Sequence, residues 1–311
     1  MSGLMLLDTP SLYFRAFYGV PESVTAPDGT PVNAVRGLLD MIASLVRDRS
    51  PERLVCCMDA DWRPSFRVAA LPSYKAHRVA ADGGDQAPDA LKAQLPVIDR
   101  VLDAFGLARA GVPGYEADDV IGTLAVRGAA RGPVDVVTGD RDLFQLVDER
   151  GPVQVLYTAR GIRNLQVMGE KEVAAKYGVP GRGYADYAML RGDPSDGLPG
   201  VPGVGDKTAA ALVTRFGSVE GILAALDSGT AEGFPAGARR RLEAARDYLA
   251  AAGTVVRVVT DIDAAELRDL DDRLPAAPRD PRALVELADR WGLDGPVNRL
   301  LNALAARSGA S

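Results

Sequence analysis

Four short, largely apolar runs punctuate the first half of the chain, at residues 4–7, 54–58, 134–138 and 153–157. Being continuous rather than alternating, they predict strands buried on both faces. Between them apolar residues recur at helical spacing. One set is Val35, Leu38, Leu39, Ile42, Leu45 and Val46; a second is Leu91, Leu95, Ile98, Leu102 and Phe105, with Gly106 as the stop; Val120, Ile121 and Leu124 begin a third. Strands alternating with helices predict an α/β fold, a mainly parallel sheet with helices on both faces. Residues 60–87 break the pattern, carrying Trp62, Pro64, Pro72, Tyr74, Gly83 and Gly84 with little periodicity. A connection this long inside a compact domain is usually functional or mobile. From about residue 181 the pattern is helical until a strand candidate at 255–259 and a helix over 284–291. The expected organisation is an α/β domain over 1–180, a helical subdomain over 181–251, and a segment over 252–311 that packs back on the sheet.

Composition narrows the class. The chain has 311 residues, 47% hydrophobic and 25% charged, and no apolar run long enough for a membrane span. Its start runs from apolar residues straight into Asp8, without a basic leader. Cys56 and Cys57 are adjacent, so on a strand they point to opposite faces and cannot pair. These features predict a cytoplasmic protein that no membrane holds. With a formal charge of −6, any binding of nucleic acid has to use local basic patches. A single histidine and no cysteine cluster argue against zinc.

The candidate chemistry is acidic. Asp8 and Asp59 end predicted strands, and Asp140 follows a third after Gly139. Ligands of an open parallel sheet bind at the carboxyl ends of its strands, so these three acids should converge on one rim. Any one of them alone would be an ordinary turn residue. Glu116, Asp118 and Asp119 precede the helix of Val120; Asp142 lies two residues beyond Asp140; Asp193 and Asp196 flank a Pro/Gly turn. Nine carboxylates cannot share a small space unaided. Oxygen ligands without His or Cys call for hard cations, Mg²⁺ or Mn²⁺, and a pair of such ions suits phosphoryl chemistry.

Two further features point toward nucleic acid. The string Leu198-Pro199-Gly200-Val201-Pro202-Gly203-Val204-Gly205-Asp206-Lys207-Thr208-Ala209 leads into an apolar helix. It looks like a helix-hairpin-helix, which holds a DNA backbone without reading bases; its glycines allow tight turning and close approach of phosphate. Within 61–78, Arg63, Arg67, Lys75 and Arg78 outnumber one acid, Asp61, with Phe66 and Tyr74 interleaved. Arg15, just after Asp8, extends this patch.

Taken together, these residues resemble the 5′-nuclease or flap-endonuclease family, in particular the nuclease domain that precedes bacterial family A DNA polymerases and its free-standing relatives. The matching strings are Leu7-Asp8 with residues 13–17; Asp59 with Pro64-Ser65-Phe66-Arg67; Tyr74-Lys75-Ala76-His77-Arg78; Gly114-Tyr115-Glu116-Ala117-Asp118-Asp119-Val120; Thr138-Gly139-Asp140-Arg141-Asp142; and residues 192–207. The resemblance implies a PIN-like sheet, a helix-hairpin-helix subdomain and a mobile helical arch near 73–95. It implies metal-dependent hydrolysis of DNA phosphodiesters at 5′ flaps, nicks or 5′ ends, by a monomer. Asp8, Asp59, Glu116 and Asp118 would hold one ion and Asp140, Asp142 and Asp196 a second; Asp119 and Asp193 match the extra acids that favour a third. Lys75 and Arg78 would contact the scissile phosphate. Arg15, Arg67, Tyr74, Gly203, Gly205 and Lys207 would meet DNA, and the carbonyls of Gly200, Val201 and Val204 would bind K⁺. The chain left over is too short for a polymerase domain. The rival readings are a non-catalytic junction binder, which the acid set disfavours, and a PIN-type ribonuclease, which the hairpin disfavours.

Overall fold

The computed structural model describes residues 3–81, 83–229 and 232–308. Met1 and Ser2 of the opening run, Asp82 of the expected arch and residues 309–311 of the tail lie outside the described residues. Six strands form one sheet: β1 (Leu4–Asp8), β2 (Arg53–Cys57), β3 (Ala108–Ala110), β4 (Val134–Thr138), β5 (Val153–Tyr157) and β6 (Gln166–Met168), in the order β3-β2-β1-β4-β5-β6. All neighbours are parallel except β6, which runs antiparallel to β5. The four apolar runs became the four long strands. β3 and β6 are three residues each and too short to leave an apolar run in the sequence.

The period of two decides which residue faces which layer. Leu4 and Leu6 of β1 join one core with Val55, Val134, Val136 and Val120, while Met5 and Leu7 join the other with Leu38, Ile42, Phe105 and Leu300. The first core continues without a break into Tyr187, Leu190, Leu212, Leu242 and Leu249, so the helical stretch shares its interior with the sheet. The second is covered by the helices Asn33–Arg49, Leu95–Phe105, Pro281–Trp291 and Asp294–Ser308. Register matters for function. Leu4 lies beside both Arg53 and Val134, so β1, β2 and β4 finish level and Asp8, Asp59 and Asp140 leave the sheet on one rim.

Two expectations are corrected. Residues 255–259 are not a strand: the helix Arg246–Val256 runs through their start, and the following chain is extended but is no sheet member. The described part of 73–95 is not a helical arch. It is a 3₁₀ turn, Ala76–Arg78, an isolated bridge between Val79 and Asp85, and a one-turn helix, Asp89–Lys92. Pro88 and the Gly83-Gly84 pair deny this stretch the uninterrupted good formers that a longer helix needs.

The helix Ala117–Ala129 carries the acidic first turn of the site, and small residues let it lie close to its neighbours. A Cβ on Gly122 would sit 2.7 Å from the Val259 carbonyl oxygen and 2.9 Å from Val258 Cγ2. Backbone cannot step aside, so Gly122→Val should cost about 1–3 kcal/mol, seen as a fall of several degrees in Tm. An unchanged Tm would mean that this packing is looser than described.

Candidate active site

The three strand ends open onto a cavity of about 450 Å³ lined by Asp8, Asp59, Glu116, Asp118 and Asp140, with Lys75 and Arg78 among its other walls. Asp8 is held by two donors: the Ser11 amide (3.1 Å) and the Thr138 hydroxyl (2.6 Å). The same hydroxyl accepts from the Asp140 amide at 2.8 Å, which ties β1 to β4 at the rim. Asp59 accepts from the Ala117 amide at 2.8 Å, which fixes the helix Ala117–Ala129 against the end of β2. Asp140 in turn accepts from the Asp142 amide at 2.9 Å, so the Asp-Arg-Asp segment is a turn that enters a 3₁₀ helix rather than extended chain.

Crowding shows in the acidities. Asp8 is only 4% exposed and is pushed up to about 7, first by burial and then, against its two hydrogen bonds, by Asp59 and Asp140. Asp59 and Asp196 are each raised to about 6, mainly by burial. Asp118 is raised by burial, then by Asp8 and Asp140; Asp142 by burial, then by Asp140 and Asp196. Asp142 and Asp196 thus stand beside the cavity acids. Among the described residues, no three acid, His or Cys side chains stand close enough, as placed, to grip one ion.

Arg67 was expected to meet DNA; instead it is 1% exposed. Its guanidinium donates to Glu116 Oε2 (2.8 Å), to both oxygens of Asp119 (2.7 and 2.6 Å) and to the Val255 carbonyl (3.0 Å). Asp119, expected as a metal ligand, is fully buried and also accepts from the amides of Glu116 and Val259. Its carboxylate is consumed by Arg67 and the helix start, and it turns away from the cavity. Tyr74, also expected on DNA, is 3% exposed and donates its hydroxyl to Glu116 Oε2 at 2.7 Å. Lys75 pairs with the other oxygen of Glu116. Asp193 caps the turn Pro194–Asp196 and lies 3.6 Å from Arg141 and 3.7 Å from Arg191, so both acids assigned to a third ion are engaged by arginines.

The connection at 73–78 rests on that turn. The Lys75 amide donates to the Asp196 carbonyl (3.0 Å), and Arg78 reaches the Ser195 carbonyl (2.9 Å) and Asp196 Oδ1 (3.4 Å). Lys75 has φ +47°, a left-handed conformation that non-glycine residues rarely adopt and that the surrounding bonds must impose. Arg15 lies beside Gly139, with Nη2 3.3 Å from where a Cβ on that glycine would stand.

This arrangement has known counterparts. A family model for the 5′-3′ exonuclease N-terminal, resolvase-like domain matches residues 3–178, and one for the 5′-3′ exonuclease C-terminal SAM fold matches residues 179–278. The chain belongs to the 5′-3′ exonuclease family. It is 59% identical over 307 residues to a 5′-3′ exonuclease of Streptomyces coelicolor, covering 97% of this chain and 100% of that one. A 5′-3′ exonuclease of Mycobacterium tuberculosis is 51% identical over 314 residues, at 97% and 98% coverage. DNA polymerase I of Mycobacterium leprae is 37% identical over 306 residues, which span 97% of this chain and 32% of the polymerase. Among solved structures, zinc-bound T5 5′-exonuclease shares the fold with a TM-score of 0.63 at 20% identity, over 83% of this chain and 90% of that one. The DNA-bound catalytic core of Rad2 does so at 0.60 and 14% identity, over 97% and 92%.

The exonuclease's glycine hairpin joins the helices Tyr184–Arg191 and Asp206–Phe216. Gly203 needs its positive φ of +77°, and its bare Cα is covered by Arg241, which donates to the Gly203 carbonyl at 2.9 Å. Gly205 is different: its φ of −97° is open to any residue, and a Cβ there meets nothing within 4 Å. Lys207 is exposed at the helix start. Gly200, Val201 and Val204 are buried in the hairpin, with the Val201 carbonyl already accepting from the Val204 amide at 2.9 Å. Sequence reasoning gave no role to Phe14, Tyr18 or Trp62, which line the cavity mouth with Tyr18 72% exposed. The i, i+4 spacing of Phe14 and Tyr18 was the available signal.

Two measurements probe this site. Removing Arg67 leaves Asp119 and Glu116 buried without their partner, so Arg67→Met should cost about 3–5 kcal/mol in urea unfolding; a loss below about 1 kcal/mol would contradict the brace. Asp8 binds its proton more tightly in the folded chain, about 7 against an ordinary 3.8, so stability falls as pH rises between those values. In chelator, Asp8→Asn should therefore match the wild-type Tm near pH 4 and exceed it by several degrees at pH 8. A gap independent of pH would show that Asp8 is not the strained acid.

Proposed function

We propose that this 5′-3′ exonuclease hydrolyses DNA at 5′ ends, nicks and flap junctions using two divalent cations, Mg²⁺ or Mn²⁺. The observation that carries the reading is the cavity lined by six carboxylates, Asp8, Asp59, Asp85, Glu116, Asp118 and Asp140, with Lys75 and Arg78 in the same wall. An all-oxygen donor set whose acids are raised first by burial and then by one another fits hard cations. Asp8, Asp59, Glu116 and Asp118 form one candidate ligand group, and Asp140, Asp142 and Asp196 the other. Bound cations would offset the acids' charge and make a hydroxide available at neutral pH. Asp119 and Asp193 are not included: neither lines the cavity, Asp119 is fully buried with both oxygens on Arg67, and Asp193 caps the turn Pro194–Asp196.

The chain's own residues do the rest. Lys75 stands at the cavity wall with its charge shared with Glu116, and Arg78 stands beside Asp196; both present positive charge to a phosphate crossing the acids. Phe14, Tyr18 and Trp62 offer ring faces at the mouth, suited to stacking an unpaired base. The hairpin, with exposed Lys207 and K⁺ on the carbonyls of Gly200, Val201 and Val204, would hold the duplex by its backbone. Arg15 adds to the rim, whereas Arg67 and Tyr74 act only inside the protein. The same reading takes the protein as a monomer. The buried free thiols of Cys56 and Cys57 suit the cytoplasm, and among the described residues no single helix is long and apolar enough to cross a bilayer.

Cleavage of labelled flap, nicked and single-stranded DNA with each metal tests the reading. Asp142→Asn should lower turnover at least 100-fold and leave junction affinity within a few-fold. Lys75→Ala should lower kcat far more than it raises KM, because its charge acts where negative charge develops. Lys207→Ala should weaken duplex binding and reduce the salt slope by about 1. Near-normal turnover in Asp142→Asn, or full activity in chelator, would overturn the assignment.

A further inference from the structure

The end of the sheet opposite the acids carries the reverse charge. Gly3 leads into β1, Arg53 opens β2, and Pro133 leads into β4. With Arg131, Arg273 and Arg307 they wall a recess of about 690 Å³. Arg53 and Arg131 also line an adjoining recess of about 420 Å³, which adds Arg127 and Arg268. Six arginines thus face two acids, Glu52 and Asp272, in a chain whose formal net charge is −6. The five residues of β1, about 17 Å, separate this patch from Asp8, so the proposed hydrolysis does not use it.

Part of the charge has structural work. Arg53 pairs with Asp272 at 3.2 Å, Arg268 pairs with Asp263, Arg127 donates to the Ile262 carbonyl at 2.6 Å, and Arg307 donates to the Leu274 carbonyl at 2.9 Å. Arg131 and Arg273 are exposed, and among the described residues neither forms an ion pair. Cations gathered from the end of one helix, the start of a strand and the C-terminal segment repel one another unless an anion joins them.

We propose that this recess binds a small molecule bearing two or more phosphoryl groups. Guanidinium forks match phosphate oxygens in pairs, and several forks around one hollow suit an oligophosphate better than a single phosphate. The volume is that of a small-ligand pocket rather than of a stripe tracking a duplex. Among the described residues no aromatic ring lines either recess, so the phosphoryl groups are recognised and an attached base is not.

The test is thermal shift of the full chain in EDTA, where the acid cavity stays anionic and repels phosphate, titrated with pyrophosphate, tripolyphosphate, ATP and CTP. Wild type and Lys207→Glu, a change at the hairpin, should be stabilised saturably with equal midpoints. In Arg131→Glu/Arg273→Glu, and in the milder Arg131→Gln/Arg273→Gln, the midpoint should rise at least tenfold while the exonuclease rate stays within twofold of wild type. Tripolyphosphate, ATP and CTP should share a midpoint within about threefold. The proposal is overturned if wild type shows no saturable shift or if the double variants respond as wild type does. It is also overturned if ATP and CTP differ more than tenfold, or if a DNA duplex protects these arginines from modification while pyrophosphate does not.

Discussion

Carboxylates buried close together lose their hydration and repel one another, and that double cost shapes the site and what surrounds it. The parallel register of β1, β2 and β4 delivers Asp8, Asp59 and Asp140 to one rim, and the helix Ala117–Ala129 adds Glu116 and Asp118. Left alone, such a cluster would splay or take up protons. The structure answers with fixed donors, an amide and a hydroxyl on Asp8 and an amide on Asp59, and with the buried guanidinium of Arg67. Arg67 binds Glu116 and Asp119 and also the chain at Val255, so the acidic first turn is anchored from behind. Arg257 continues the tie outward, pairing with Asp186 and Glu220 of the helical half.

That network makes the two halves of the chain one working unit. The turn Pro194–Asp196 supplies Asp196 to the acids and the seat on which Lys75 and Arg78 rest. A few residues on, the same segment becomes the glycine hairpin. A duplex held at the hairpin, as proposed, would be tied through a short, tightly bonded stretch to the groups that would meet its 5′ end. The core shared between sheet and helices gives that tie rigidity.

Much of this was legible in the sequence, for physical reasons. Buried parallel strands need continuous apolar runs, so the four long strands and the rim they define could be read directly. The acid strings and the hairpin carried family resemblance because their spacing is set by chemistry. What could not be read was direction. Arg67 sits in a basic stretch and looks like part of a surface patch, but the short helix Ser65–Ala70 turns it inward; only a partner 52 residues away, Asp119, reveals why. Tyr74 and Asp119 were misplaced on the same account. The strand expected at 255–259 failed because its β-branched residues pack under Arg67 and against Gly122 instead of pairing with a neighbour strand. Gly205 shows the converse: a glycine inside a motif need not be there for its φ.

The central claim is that the acids are held ready for cations at the cost of carrying protons in their absence. Calorimetric titration with Mn²⁺ near pH 6.5, repeated in buffers of different ionisation enthalpy, measures that directly. The account predicts tight binding with net release of at least one proton, a release that shrinks as pH rises past 7. Binding without proton release at pH 6.5, or no binding at all, would contradict it.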